Sequence, residues 1–70
     1  MRTVEISKEP VDLYKILKFE GMASSGAEAK IVIAEGLVLV NGEVETRKRK
    51  KIYSGDTIEF GQEIIRMKLN

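Results

Sequence analysis

The dipeptide Asn41-Gly42 separates two short runs, "LVLV" at 37–40 and "EVET" at 43–46. Both central positions of a two-residue type I′ hairpin demand positive φ, and Asn followed by Gly tolerates it best. The pair therefore sets the register of one strand pairing. It also lies just past a change of period. Ahead of Gly36 the apolar residues recur at helical spacing, and from Leu37 onward they alternate. A chain whose helical half precedes its extended half folds as α+β, with helices segregated to one face of a sheet.

In the helical half, "PVDLYKILKFEG" (10–21) predicts a first helix. Leu13, Ile16 and Leu17 form one stripe, with Tyr14 and Phe19 flanking it. Pro10 suits the first helical position, where a missing N–H costs nothing. Asp12 suits the first turn, and Gly21 is the left-handed stop. "MASSGAEAKIVIAEG" (22–36) predicts a second helix. Ser25 and Glu28 have capping-box spacing, and Gly36 ends the helix. "TVEI" (3–6) reads as a short edge strand with Val4 and Ile6 on one side. Beyond the hairpin, "KIY", "TIEF" and "EIIRMKL" read as strands, turning at Ser54-Gly55-Asp56 and Gly61-Gln62. Ile58 and Phe60 face in, and Ile65, Met67 and Leu69 share a face. The expectation is one α+β domain over residues 1–70: two short helices packed on a small antiparallel sheet of about four to five strands.

Seventy residues allow one small core and no second domain. Neither cysteine nor histidine is present, which excludes disulfides, thiolate or imidazole metal sites, and every His-dependent triad. No apolar run approaches a membrane span, and no signal peptide opens the chain, so a cytoplasmic address is expected. Net charge is +1, but the distribution is uneven. Five of the 12 Lys and Arg residues are Arg47, Lys48, Arg49, Lys50 and Lys51. The other 7 face 11 Asp and Glu, a net of −4. A mildly acidic body thus carries one concentrated basic patch, a field that speaks to association with polyanions.

An ordered set of residues at 21–60 resembles a known family. It comprises the "SGAEAK" opening of the second helix, then Ile33, Gly36, Val38, Val40, Asn41 and Gly42, then the basic stretch, then Gly55, Asp56 and Ile58. With the first helix the resemblance covers about residues 11–60. The family is the RNA-binding domain named after small-subunit ribosomal protein S-four, the alpha-L motif, and in particular its short stand-alone bacterial members. The resemblance implies a non-enzymatic protein that binds structured RNA such as rRNA or tRNA, with ribosomal particles as partners and no cofactor. It also exposes two departures. The family commonly has Arg where this chain has Asp12, and Arg again where it has Gly26. The binding charge is therefore expected from Arg47 to Lys51, with Lys30 helping.

The basic run cannot be buried on either strand face, so it must be an edge, a loop or a projecting ribbon. On RNA its cations would neutralise phosphates and release counterions. Left alone, they would form a solvated edge that discourages aggregation. The backbone N–H groups of Gly26 and Ala27, beside the Ser25 hydroxyl, offer a helix N-terminus to phosphate, and Lys30 stands one turn on. Asn41 is a turn residue first and an RNA contact second. Tyr53, beside the cations, is the aromatic placed to stack a base, whereas Tyr14, Phe19 and Phe60 read as core. The carboxylates sit in turns and on exposed faces, so no catalysis and no metal is expected. Two rival readings stay open: a basic patch that docks an acidic protein surface, and a duplex-DNA binder using the second helix. The second helix is mostly apolar with one cation, which argues against DNA. A monomer without membrane attachment is expected.

Overall fold

A computed structural model describes residues 1–70. In chain order the elements are β1 (Arg2–Ile6), β2 (Val11–Asp12), α1 (Leu13–Phe19), α2 (Gly26–Ala34), β3 (Val38–Val40), β4 (Glu43–Val44), β5 (Lys51–Ile52), β6 (Thr57–Phe60) and β7 (Glu63–Leu69). Five strands form one sheet in the order β1-β7-β6-β3-β4, and β2 pairs with β5 in a second, two-stranded sheet. No helix is long and apolar enough to cross a membrane.

The local signals act as read. Asn41 (φ 53°) and Gly42 (φ 84°) make the two-residue turn between β3 and β4. The Ser25 hydroxyl accepts the Glu28 N–H at 3.1 Å, while the Glu28 carboxylate accepts the N–H of Ser24 at 2.8 Å. Each helix ends in a Schellman pair. Gly21 and Met22 donate to the carbonyls of Lys18 and Leu17, and Gly36 and Leu37 donate to those of Ile33 and Val32.

Three expectations are corrected. The larger sheet is mixed, because β1 lies parallel to β7 with Val4 opposite Met67; the other pairings are antiparallel. β7 is seven residues long, and its outer edge is covered by the strand that begins the chain. Pro10 is not the first helical residue. It follows a cis peptide bond and leads into β2, so α1 starts at Leu13 and Asp12 is its N-cap. Phe19 is not core. At 69% exposure it lies off the stripe of Leu13, Ile16 and Leu17, which are buried.

One core joins everything. Leu13, Ile16 and Leu17 of α1 and Ala29 and Ile33 of α2 pack on the inner face of the sheet. That face presents Val4, Val38, Val40, Ile58, Ile65 and Met67. Leu69 shares their alternation but sits at the sheet's end, 41% exposed. Ile52 of the small sheet is completely buried in the same cluster and so anchors the segment that follows the basic run. Replacing Ile52 by Ala should therefore lower unfolding free energy by about 2–5 kcal/mol, the cost of deleting a buried aliphatic chain. Urea denaturation followed by circular dichroism would check it.

Candidate nucleic-acid interface

The basic run is a loop rather than a strand. Residues 45–50 leave β4 and turn, with the Lys50 N–H donating to the Arg47 carbonyl, and only Lys51 enters β5. Its path is set by α1. The first N–H groups of a helix have no acceptor within the helix. Here Leu13 N–H donates to the Lys50 carbonyl at 2.9 Å, and Tyr14 N–H donates to the Lys48 carbonyl at 3.1 Å. The loop's carbonyls are thus turned toward the helix end, and its cationic side chains are left to solvent. The Asp12 side chain makes no cap of its own, so the loop carbonyls take that part.

The five cations are not equivalent. Arg47 is held by Glu45, whose carboxylate accepts from its Nε (2.8 Å), its Nη2 (3.0 Å) and its backbone N–H (2.9 Å). That hydrogen bonding drops the Glu45 carboxyl to about 2 and raises the Arg47 guanidinium above its ordinary value. Lys51 donates to Asp12 at 2.6 Å, and this bond lowers the Asp12 carboxyl. The two acids thus restrain the ends of the run. Lys48, Arg49 and Lys50 make no salt bridge. Arg47, Arg49, Lys50 and Lys51, with Tyr53, line one shallow concavity that contains no acid. Tyr53 is half-exposed there, its N–H held by Asp56. A larger groove between β1 and α1 mixes Glu5, Asp12 and Glu20 with Lys8, Lys15 and Lys51, so its field has no single sign.

Lys30 joins the surface from α2. Its ammonium lies 4.6 Å from the centre of the Tyr14 ring, and the Arg49 guanidinium lies 5.6 Å from the same centre. Gly26 faces that ring too. A Cβ at this position would stand 4.0 Å from two Tyr14 ring carbons and 3.7 Å from the Lys18 stem. The structure therefore gathers Gly26, Lys30 and Arg49 about Tyr14, with Ser25 next in the chain. The sequence pattern places Tyr14 in the core. The residue flanks the α1 stripe and packs partly on the core, but its other side borders the cations. The available signal was its position at the margin of the apolar stripe.

Asn41 is spent on the fold. Its amide donates to Asp56 at 3.0 Å, and its carbonyl oxygen accepts the Thr57 N–H at 2.9 Å. Asp56 also holds the Tyr53 N–H at 2.8 Å. The "VNG" and "GD" elements of the sequence pattern are thus two halves of one hydrogen-bonded junction between turns.

Two helices packed on a mixed five-stranded sheet, beside a small two-stranded one, form the alpha-L architecture. The S4 domain family model matches residues 4–68, and the chain belongs to that family. Among relatives, "Putative RNA-binding protein YbcJ" of Escherichia coli (strain K12) is 56% identical over 61 residues, covering 86% of this chain and 87% of that protein. "Probable ribosome maturation protein RlbA" of Bacillus subtilis (strain 168) is 38% identical over 57 residues, covering 81% and 80%. The solution structure of E. coli YbcJ, described as revealing an alfaL motif involved in RNA-binding, superposes with a TM-score of 0.74 at 49% identity. It covers 97% of this chain and 87% of that one.

The ion pairs carry a pH dependence of known sign. The unfolded chain binds a proton at Glu45 near 4.5, the folded chain only near about 2. Between those values the unfolded state holds more protons, so acid weakens the fold. The contribution is complete above about pH 4.5 and is lost as pH falls through about 2; Asp12, also lowered, acts in the same direction. The urea midpoint should fall less steeply with acid in Glu45→Gln than in the wild type, and less steeply still with Asp12→Asn added.

Proposed function

We propose that this protein is a non-catalytic RNA-binding protein. It holds structured RNA, rRNA or tRNA, by its phosphates, as a single copy in the cytoplasm during ribosome assembly or translation. The observation that carries the reading is the set of cations without carboxylate partners, Lys48, Arg49 and Lys50, on a backbone fixed by α1, with Lys30 beside them on α2. Like charges without acid partners on a fixed frame are a standing electrostatic cost that a phosphate backbone removes, with release of its counterions. The names of the E. coli and B. subtilis relatives, one for RNA binding and one for ribosome maturation, support the same reading.

Within it, the residues have graded roles. Lys48, Arg49, Lys50 and Lys30 make the primary phosphate contacts. Arg47 and Lys51 contribute once their acids are displaced. Ser25 and Gly26 present backbone N–H groups at the start of α2, and Gly26 lets the RNA backbone approach closely. Tyr53 offers a half-exposed ring for an unpaired base at the edge of the basic concavity. Asn41 acts through the turn it stabilises. Readout is dominated by shape and backbone, so sequence preference is low.

The test is anisotropy titration of labelled rRNA and tRNA hairpins, with equal-length duplex DNA, over a series of salt concentrations. Lys48→Gln/Arg49→Gln/Lys50→Gln should bind RNA more weakly, with a log–log salt slope shallower by about 2–3, roughly 0.7–0.9 for each phosphate contact removed. Asp12→Asn/Glu45→Gln should bind more tightly with a steeper slope, because it releases Lys51 and Arg47. Equal, weak binding of RNA by all three proteins would contradict the proposal and turn the search to an acidic protein partner.

A further inference from the structure

Lys30 and Arg49 are 19 residues apart in sequence and belong to different elements, yet both cations lie over one ring. Neither makes a salt bridge. Two unpaired cations brought to one place repel each other, and nothing in the backbone requires their side chains to converge. What draws each of them inward is the face of the Tyr14 ring, whose quadrupole attracts cations. The ring is itself fixed. The Tyr14 N–H is bonded to the Lys48 carbonyl, its side chain packs partly on the core, and Gly26 lies beside the ring.

We infer that Tyr14 is a positioning residue that gathers Lys30 and Arg49 into a single two-cation contact for one stretch of phosphate backbone. The inference rests on the RNA-binding reading and deepens it. Long cationic side chains lose rotamer entropy when they bind. Tyr14 meets part of that cost in the free protein. It also links α2 to the basic loop, so the two halves of the surface are presented in one geometry. An anion that contacts both cations relieves their mutual repulsion. The phenol hydroxyl has no part in this, because the attraction is to the ring face.

The experiment compares wild type, Tyr14→Phe and Tyr14→Leu in binding the labelled RNA hairpin. The same Tyr14 changes are then made in a Lys30→Gln/Arg49→Gln background. Tyr14→Phe should bind as wild type. Tyr14→Leu should bind about fivefold or more weakly, the scale expected when one ring stops attracting two cations. In the double-Gln background Tyr14→Leu should cause no further loss, a coupling that a merely structural role would not produce. In the free wild-type protein, NMR should show the Lys30 side-chain protons nearest the ammonium shifted upfield by the ring. This signal needs no RNA and no Leu variant, so it decides the geometry even if Tyr14→Leu fails to fold. Unshifted Lys30 protons, an unaltered Tyr14→Leu, a Phe variant as weak as Leu, or equal losses in both backgrounds would each overturn the inference. Failure of wild type to bind any RNA would overturn the functional reading itself and with it this use of the pair, whatever the NMR signal.

Discussion

Two hydrogen bonds, from the Leu13 and Tyr14 N–H groups to the Lys50 and Lys48 carbonyls, organise the basic surface. They answer two problems at once. A seven-residue helix is marginal alone and begins with donors that have no partner. A loop with five consecutive cations has no reason of its own to adopt one path. Seating the loop on the helix end satisfies two of those donors and orders the loop. It also decides which way the loop faces, since carbonyls directed at the helix leave the side chains outward. Ile52, buried in the core immediately after the run, and the β2–β5 pair hold the far side of the loop in place.

Charge is then apportioned along that frame. Glu45 and Asp12 take up Arg47 and Lys51 at the two ends, which limits self-repulsion in the free protein. The middle of the run stays unpaired. Asp12 thus has a local use: its carboxylate fastens Lys51 to the N-cap position of α1. The proposed RNA contact is accordingly centred on the middle of the loop and on Lys30, with Tyr14 between them.

What could be read in advance follows from how local each feature is. The Asn41-Gly42 turn, the Ser25 cap and the glycine stops at 21 and 36 depend on residues within a few positions of one another, and each is where the pattern put it. The buried faces of α1, β3, β6 and β7 follow from periodicity. The parallel pairing of β1 with β7 brings together strands some sixty residues apart, which no short-range pattern encodes. The same holds for β2, whose two residues look like the start of a helix until Lys51 and Ile52 pair with them. In the candidate site, the cationic run and Lys30 were visible as residue types. Their division into paired and unpaired groups was not: Glu45 and Arg47 are two positions apart, but Lys51 is paired only because Asp12 reaches it across 39 positions. Tyr14 was hidden for a related reason: Lys30 and Arg49 meet at its ring only in the folded chain.

The most direct measurement is amide hydrogen exchange at Leu13 and Tyr14 in the free protein, read residue by residue by NMR. The opening amides of a helix ordinarily exchange quickly for want of an acceptor. If the basic loop is seated as described, both should exchange as slowly as the amides within β3 and β6. Rapid exchange at both, with those strands protected, would show that the loop is not held by the helix and would contradict the account of how its cations are presented.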